Sequence, residues 1–444
     1  MLFSSFEFLF AFVPPVLAVW LLVPPRGRFW VLLFSSLVFY AFGEPIWVAL
    51  LAASALVHWL LGLVAAKKRR LGVALAVAFD LLLLAFFKYY DRAAVLTGLP
   101  VLGLSLPLGI SFYSFTALSY VIDVSRGEAP ERSFFRFAAY LTAFPKLLSG
   151  PITRYGTLRG ELEAPRTSPD RAAHGIGRFV CGLCKKLLLA APASEMWRYL
   201  RALDADERGI VGTWLALVFF SLWLYYDFSG YTDMALGLGE ILGLSLPENF
   251  RYPYIAESPR DFWRRWHITL SAWFRDYVYI PLGGSRCGEL RTLVGLLAVW
   301  LATGLWHGST LNFLVWGLYW FALLAAQRLL GRRLSLPRAL RHGVMIPIIL
   351  FGWLIFAFED MGESVAFLRA MFSGALLTPL TLYELSRGAL VLPILVLGVT
   401  PLPKRLFEKH VGPTAKALLC LVGFLLSLAY LAGGTHQPFL YLKF

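Results

Sequence analysis

The sequence predicts an all-α polytopic membrane protein: a bundle of about 11 spanning helices, with re-entrant or interfacial helices around a central cavity. Three observations predict it. Of the 444 residues, 58% are hydrophobic and only 15% are charged, against about 25% charged in soluble globular chains. Mean hydropathy is +0.66. Aromatic residues reach 16%, with 15 Trp, and Trp and Tyr favour membrane interfaces.

A span needs about 20 apolar residues. Segments that approach this run over 6–24, 28–43, 45–66, 71–89, 100–122, 209–228, 291–309, 311–330, 342–359, 383–400 and 416–433. Several are short or interrupted by Gly and Pro. Stretches 134–150 and 172–194 are apolar but carry Lys146, Lys185 and Lys186, so they read as re-entrant or interfacial helices. Non-helical backbone at membrane depth has to be covered by protein or line a wet cavity, hence the expected cavity. Residues 1–444 read as one membrane domain, without a soluble module or low-complexity linker.

The net charge of +14 fits the cytoplasmic bias of Lys and Arg better than nucleic-acid binding. Arg26 and Arg28 follow the first span, Gly43-Glu44-Pro45 after the second has no basic residue, and Lys67-Lys68-Arg69-Arg70 follows the third. This alternation predicts an N-terminus outside the cytoplasm. The first span lacks a basic leader and a small-residue cleavage site, and Pro14-Pro15 interrupts it, so it reads as retained. The four cysteines include Cys181 and Cys184. Without a second pair, and inside an apolar helical stretch, they read as small core residues. No His/Cys/Asp spacing indicates a metal site.

Two histidines stand out. Residues 249–286 are too polar to span but rich in Trp, Phe and Tyr, with Arg260, Arg264, Arg265 and Arg275 among them. Aromatic rings beside arginines suit an interfacial helix, starting near Pro259, whose apolar face enters the bilayer. His267 sits in this block; its position alone reads as a hydrogen-bonded core histidine. The arginines either follow the cytoplasmic bias, holding lipid head groups, or dock the phosphates of an anionic acyl donor. His307 lies near the end of the apolar run 291–309, in Gly304-Leu305-Trp306-His307-Gly308. An ionisable side chain inside a span is costly and marks a functional candidate; it lies about 24 Å along the helix from Arg291. Gly304 and Gly308 would permit close backbone approach on one face. The other reading is a packing motif with an interfacial Trp-His pair. His58, without an obvious acidic partner, and His174, His342, His410 and His436 read as structural or solvated.

Several runs together resemble the bacterial membrane-bound O-acyltransferase family. They are Leu106-Pro107-Leu108-Gly109-Ile110-Ser111-Phe112-Tyr113, Ser149-Gly150-Pro151-Ile152, Asn249-Phe250, Asp261-Phe262-Trp263-Arg264-Arg265-Trp266-His267, Arg275-Asp276-Tyr277, Ile280-Pro281-Leu282-Gly283-Gly284 and the His307 run. The ending Pro438–Phe444 is similar too. The nearest branch acetylates alginate, with peptidoglycan and cellulose acetylation proteins beside it; teichoic-acid D-alanyl transferases share both histidine motifs. The resemblance implies that His307 is the catalytic histidine and His267 a second one associated with activity. It implies an acyl thioester donor such as acetyl-CoA, no permanently bound cofactor, and an extracytoplasmic partner that passes the acetyl group to a polysaccharide. It places the chain in the bacterial cytoplasmic (inner) membrane. Lys146, where the family often has Gln, and Leu442-Lys443 depart from the pattern. Transfer of D-alanyl or another acyl group to teichoic acid, lipid or protein is the alternative within the chemistry. A transporter of acyl groups or glycan without chemistry is the alternative outside it.

Overall fold

The computed structural model describes residues 1–330 and 337–434. His436 and the Pro438–Phe444 ending lie outside the described residues. The described residues are mostly helical, with no strand among them, and fall into two compact units.

The first unit begins with α1 (Val13–Leu22), entered through one π-helical turn and carrying Pro14 and Pro15 in its first turn. Helix α2 (Arg28–Gly43) has 16 residues. Helices α3 (Val48–Lys67) and α4 (Arg69–Thr97) are joined by Lys68 alone, which leaves the helical region. They form an antiparallel hairpin. Near the turn, a Cβ on Gly72 would lie 2.6 Å from the Ala65 backbone, so only glycine lets the helices meet there. Further along, buried His58 donates through Nδ1 to the Ser54 carbonyl at 2.8 Å, and its Nε2 meets the Asp80 carboxylate at 3.0 Å. Asp80 thus supplies the acidic partner that the sequence reading did not find for His58. Positions 58 and 80 lie almost equally far from the turn at Lys68.

Helix α5 (Ile110–Ser125) is buried on every side from Ile110 to Val121. A helix apolar all round belongs to an interior. It opens only at Ile110, because Gly- and Pro-containing residues 100–109 are not helical. Helix α6 (Phe134–Thr142) is capped by Ser133, whose hydroxyl accepts from the Arg136 amide. It breaks at Ala143 before the single turn α7 (Phe144–Leu147). Residues 137–153 are buried without exception. The irregular backbone of this stretch is covered by protein. Lys146 lies inside it, its ammonium 4.4 Å from the centre of the Tyr140 ring. Helices α8 (Tyr155–Glu163) and α9 (Pro169–Cys184) follow.

The second unit starts at Cys184. A π turn, Lys185–Ala190, continues the helix into α10 (Ala191–Ala202). Of the two C-x-x-C thiols, Cys181 is exposed and only Cys184 partly buried, so the core reading fits only Cys184. The 37-residue α11 (Ala205–Ile241) passes Gly209 at φ +65° and is largely enclosed; from Tyr231 it belongs to the first unit. Buried Lys186 is ion-paired with buried Asp227 of α11. The remaining helices are α12 (Pro259–Trp263), α13 (Ile268–Phe274), α14 (Glu289–His307), α15 (Leu311–Leu330), α16 (Arg338–Ala357), α17 (Met361–Ala370), α18 (Pro379–Gly388), α19 (Val391–Gly398), α20 (Leu402–His410) and α21 (Pro413–Ala432).

Among the described residues, seven helices are long and apolar enough to cross a membrane: α3, α4, α11, α14, α15, α16 and α21. An eighth is counted if α18 and α19, bent by 62°, form one broken span. The expected count of about 11 is not reached by length and composition, because α1, α2 and α5 are too short. Removing one partner of a buried ion pair strands the other charge, typically at a cost of about 3–5 kcal/mol. Asp227→Leu should therefore lower the thermal midpoint in detergent sharply, and Lys186→Met in the same chain should restore most of it. A double variant as unstable as the single would refute this account of the pair.

Candidate active site

The block 249–286 is not one interfacial helix. Ser258 caps α12, its hydroxyl accepting from the Asp261 amide at 3.2 Å, and Pro259 fills the first helical position as its sequence suggested. The helix ends within five residues. The chain then turns at His267, which has φ +44° in the left-handed region, before α13 begins. For a residue with a Cβ this is an uncommon backbone state, though His adopts it more readily than most. The turn is held by two backbone hydrogen bonds to an earlier segment: Ile268 N–H donates to the Asn249 carbonyl at 2.9 Å, and Arg251 N–H to the Arg265 carbonyl at 2.9 Å.

The aromatic face expected to enter the bilayer is instead packed into protein. Phe262 stacks on Trp320 with centroids 5.2 Å apart. Trp263 meets Trp300 at 4.7 Å, and Trp266 meets Trp353 at 4.7 Å. Aromatic pairs in such offset and edge-on arrangements contribute beyond the area they bury. They seat α12 on α14, α15 and α16. The arginines divide. Arg265 is paired with Asp261 and Arg275 with Asp276, while Arg260 and Arg264 are exposed and form no ion pair among the described residues.

His267 is 1% exposed. Its Nδ1 lies 3.1 Å from Asn249 Oδ1, and the ring packs edge-on against Phe228 at 4.9 Å. Burial pushes this imidazole well below the usual histidine range, favouring its neutral form.

His307 occupies the last turn of α14 and is 4% exposed. Its ring lies 4.7 Å from Trp306, 5.0 Å from Trp316 and 5.2 Å from Phe356, centroid to centroid. Phe313 stacks on it at 6.2 Å. Trp306 also reaches His267, at 6.5 Å between centroids. The two histidines singled out in the sequence therefore pack against a common indole.

Close helix approach sets this position. A Cβ on Gly304 would lie 2.5 Å from the Phe313 carbonyl oxygen, and one on Gly317 would collide with the Trp300 carbonyl. A Cβ on Gly308 would run into the Phe313 ring. The expected close backbone approach is present at Gly304, with α15 as its partner, while Gly308 lies just past the end of α14 and meets a ring instead of backbone. Asn312, at the start of α15, is buried and donates to Ser364 at 2.8 Å.

The other described histidines are remote from this chemistry in kind. Exposed His174 meets Glu240 at 2.6 Å, and His342 lies 3.4 Å from the Ala256 carbonyl. His410 is exposed at the end of α20. Among the described residues, no group of three or more His, Cys, Asp or Glu side chains is placed to hold a metal ion. Sequence reasoning missed Asn249 as a partner of His267, and Phe228, Trp316 and Phe356 as the rings around the two imidazoles. No spacing rule links them, since each pairing is made by tertiary packing.

A fold of long apolar helices, with no strand among the described residues, describes a multi-pass membrane protein, and two of its buried imidazoles share one indole. Residues 106–371 match the membrane-bound O-acyltransferase family, and the chain belongs to that family. It is 35% identical to the probable alginate O-acetylase of Pseudomonas putida, over all of both chains. It is 30% identical to the peptidoglycan O-acetyltransferase of Helicobacter pylori, over 84% of this chain and 80% of that one. The teichoic acid D-alanyltransferase of Bacillus subtilis is 30% identical over 48% of this chain and 56% of its own. The protein is thus an O-acyltransferase.

Gly304→Val should force α14 away from α15, costing about 1–3 kcal/mol as overpacking does, and should lower acyl transfer by displacing His307. A Cβ on helical Gly343 meets nothing within 4 Å, so Gly343→Ala should leave stability unchanged or raise it by up to about 1 kcal/mol. Thermal midpoints and initial rates of both variants decide the point.

Proposed function

We propose that the enzyme moves an acetyl group from a cytoplasmic thioester, acetyl-CoA, toward an extracytoplasmic polysaccharide, with His307 as general base. The observation that carries this is the place of His307: a buried imidazole at the C-terminal turn of a membrane helix, against the indole that also meets His267. The carboxyl end of a helix favours positive charge, and a general base becomes an imidazolium as it works. The acceptor hydroxyl would give its proton to His307 while its oxygen attacks the thioester carbonyl. The new C–O bond forms, the C–S bond breaks, and the leaving thiolate takes up the proton. His267 would position or polarise one of the two reactants. The transfer is downhill and needs no resident cofactor. Exposed Arg260 and Arg264, which have no carboxylate partner among the described residues, are available to the donor's phosphates.

The full-length likeness to a probable alginate O-acetylase supports an alginate-like exopolysaccharide, with cellulose or peptidoglycan next. Residues 1–444 would act as one domain of the bacterial inner membrane, N-terminus outside, around a cavity open to the donor from the cytoplasm and to the acceptor from outside. A separate extracytoplasmic protein would complete delivery to the polymer. The D-alanyltransferase likeness supports a second reading, D-alanyl transfer to a teichoic-acid-type acceptor.

General-base assistance is typically worth about 10²–10⁴ in rate. His307→Ala, inserted at the normal level, should abolish O-acetyl groups on exopolysaccharide and envelope glycans when scored by mass spectrometry. Retained acetylation would sink the assignment. Loss of D-alanyl instead of acetyl groups would move it to the second reading. Purified protein that consumes no acyl thioester would point to transport without chemistry.

A further inference from the structure

The Asn249 side chain determines which nitrogen of His267 is basic. Three groups converge on Asn249 Oδ1: the Thr269 amide at 3.2 Å, the Thr269 hydroxyl at 2.9 Å and His267 Nδ1 at 3.1 Å. A backbone amide can only donate, so the atom facing it is the carboxamide oxygen and not its nitrogen. That oxygen has no proton to give. The third neighbour, His267 Nδ1, must therefore carry one. In a neutral imidazole the lone pair then resides on Nε2. Asn249 is itself 0% exposed, and its carbonyl accepts from Ile268 at 2.9 Å. One residue thus fixes the ring through its side chain and the left-handed turn beneath it through its backbone.

We infer that Asn249 is a positioning residue for the transfer reaction, holding His267 as the Nδ1–H tautomer so that Nε2 accepts a hydrogen bond from the acceptor's hydroxyl. This rests on the transferase reading above and sharpens it. A ring in this state cannot donate through Nε2, so it does not polarise the thioester carbonyl. Its work is to orient the hydroxyl that His307 deprotonates. The ligand of Nε2 is an O–H-bearing group, which a sugar supplies.

Ring ¹⁵N spectra of histidine-labelled protein in detergent test this directly, with the His267 signal identified by its loss in His267→Gln. The intact protein should show Nδ1 protonated and Nε2 bare. Asn249→Leu should shift the signal toward the other tautomer. It should also slow acetyl-CoA turnover, read as thiol release, by roughly 10²–10⁴-fold, as a wrong tautomer does elsewhere, with the KM for acetyl-CoA within about twofold. Thr269→Val removes a donor from Asn249 but leaves the Nδ1 bond, so it should lower the thermal midpoint and keep the tautomer. An Nε2-protonated ring in the intact protein would overturn the inference whether or not any variant folds. So would an unchanged tautomer or unchanged turnover in Asn249→Leu. Full turnover by His267→Gln would instead remove His267 from the reaction, which the spectra alone could not do.

Discussion

In hydrocarbon no water is available to a backbone amide or carbonyl, and each one left unsatisfied costs several kcal/mol. Helices meet that constraint within themselves, and most of this chain is helical. The departures are correspondingly telling. The stretch around α7 is non-helical at both ends yet wholly buried. The turn at His267 leaves the helix in a left-handed state and recovers its hydrogen bonds from Asn249 and from the Arg251–Arg265 pairing. A chain that breaks its helices away from water has to build partners for the freed groups, and here the partner of the turn is also the partner of the His267 ring.

The same economy governs the second histidine. His307 ends α14, where the last carbonyls of the helix make the surroundings favourable to a cation. Its position follows from backbone-to-backbone contact at Gly304 and Gly317. Rings from α14, α15 and α16 close around it. One imidazole is located by a carboxamide and the other by helix packing, and Trp306 makes the two arrangements one site.

Much of this was legible in the residues. Apolar runs located α3, α14, α15, α16 and α21 to within a few residues, because a spanning helix is specified by composition, while α4 continues eight residues past its apolar run. His307 was visible as an ionisable group in an apolar run. Pro259 marked the start of α12 through its fixed φ. The rest depended on contacts between distant parts of the chain. The aromatic face of 262–274 looks the same whether lipid or tryptophan covers it, and only packing showed that Trp320 and Trp353 do. His58 seemed alone until the hairpin at Lys68 brought Asp80 beside it. Residues 100–109 are apolar enough to extend α5, but their glycines and prolines end it. Asn249 was recognisable as part of a family run, while its bond to His267 arises from a fold-back that no periodicity announces.

The Lys186–Asp227 pair carries a consequence for how the protein is made. The lysine leaves the ribosome 41 residues ahead of its aspartate, which at about 5–20 residues per second is a delay of roughly 2–8 s. During that interval the ammonium has no carboxylate to neutralise it and must stay in water or among lipid head groups. Its burial against this carboxylate therefore waits until α11 has been made.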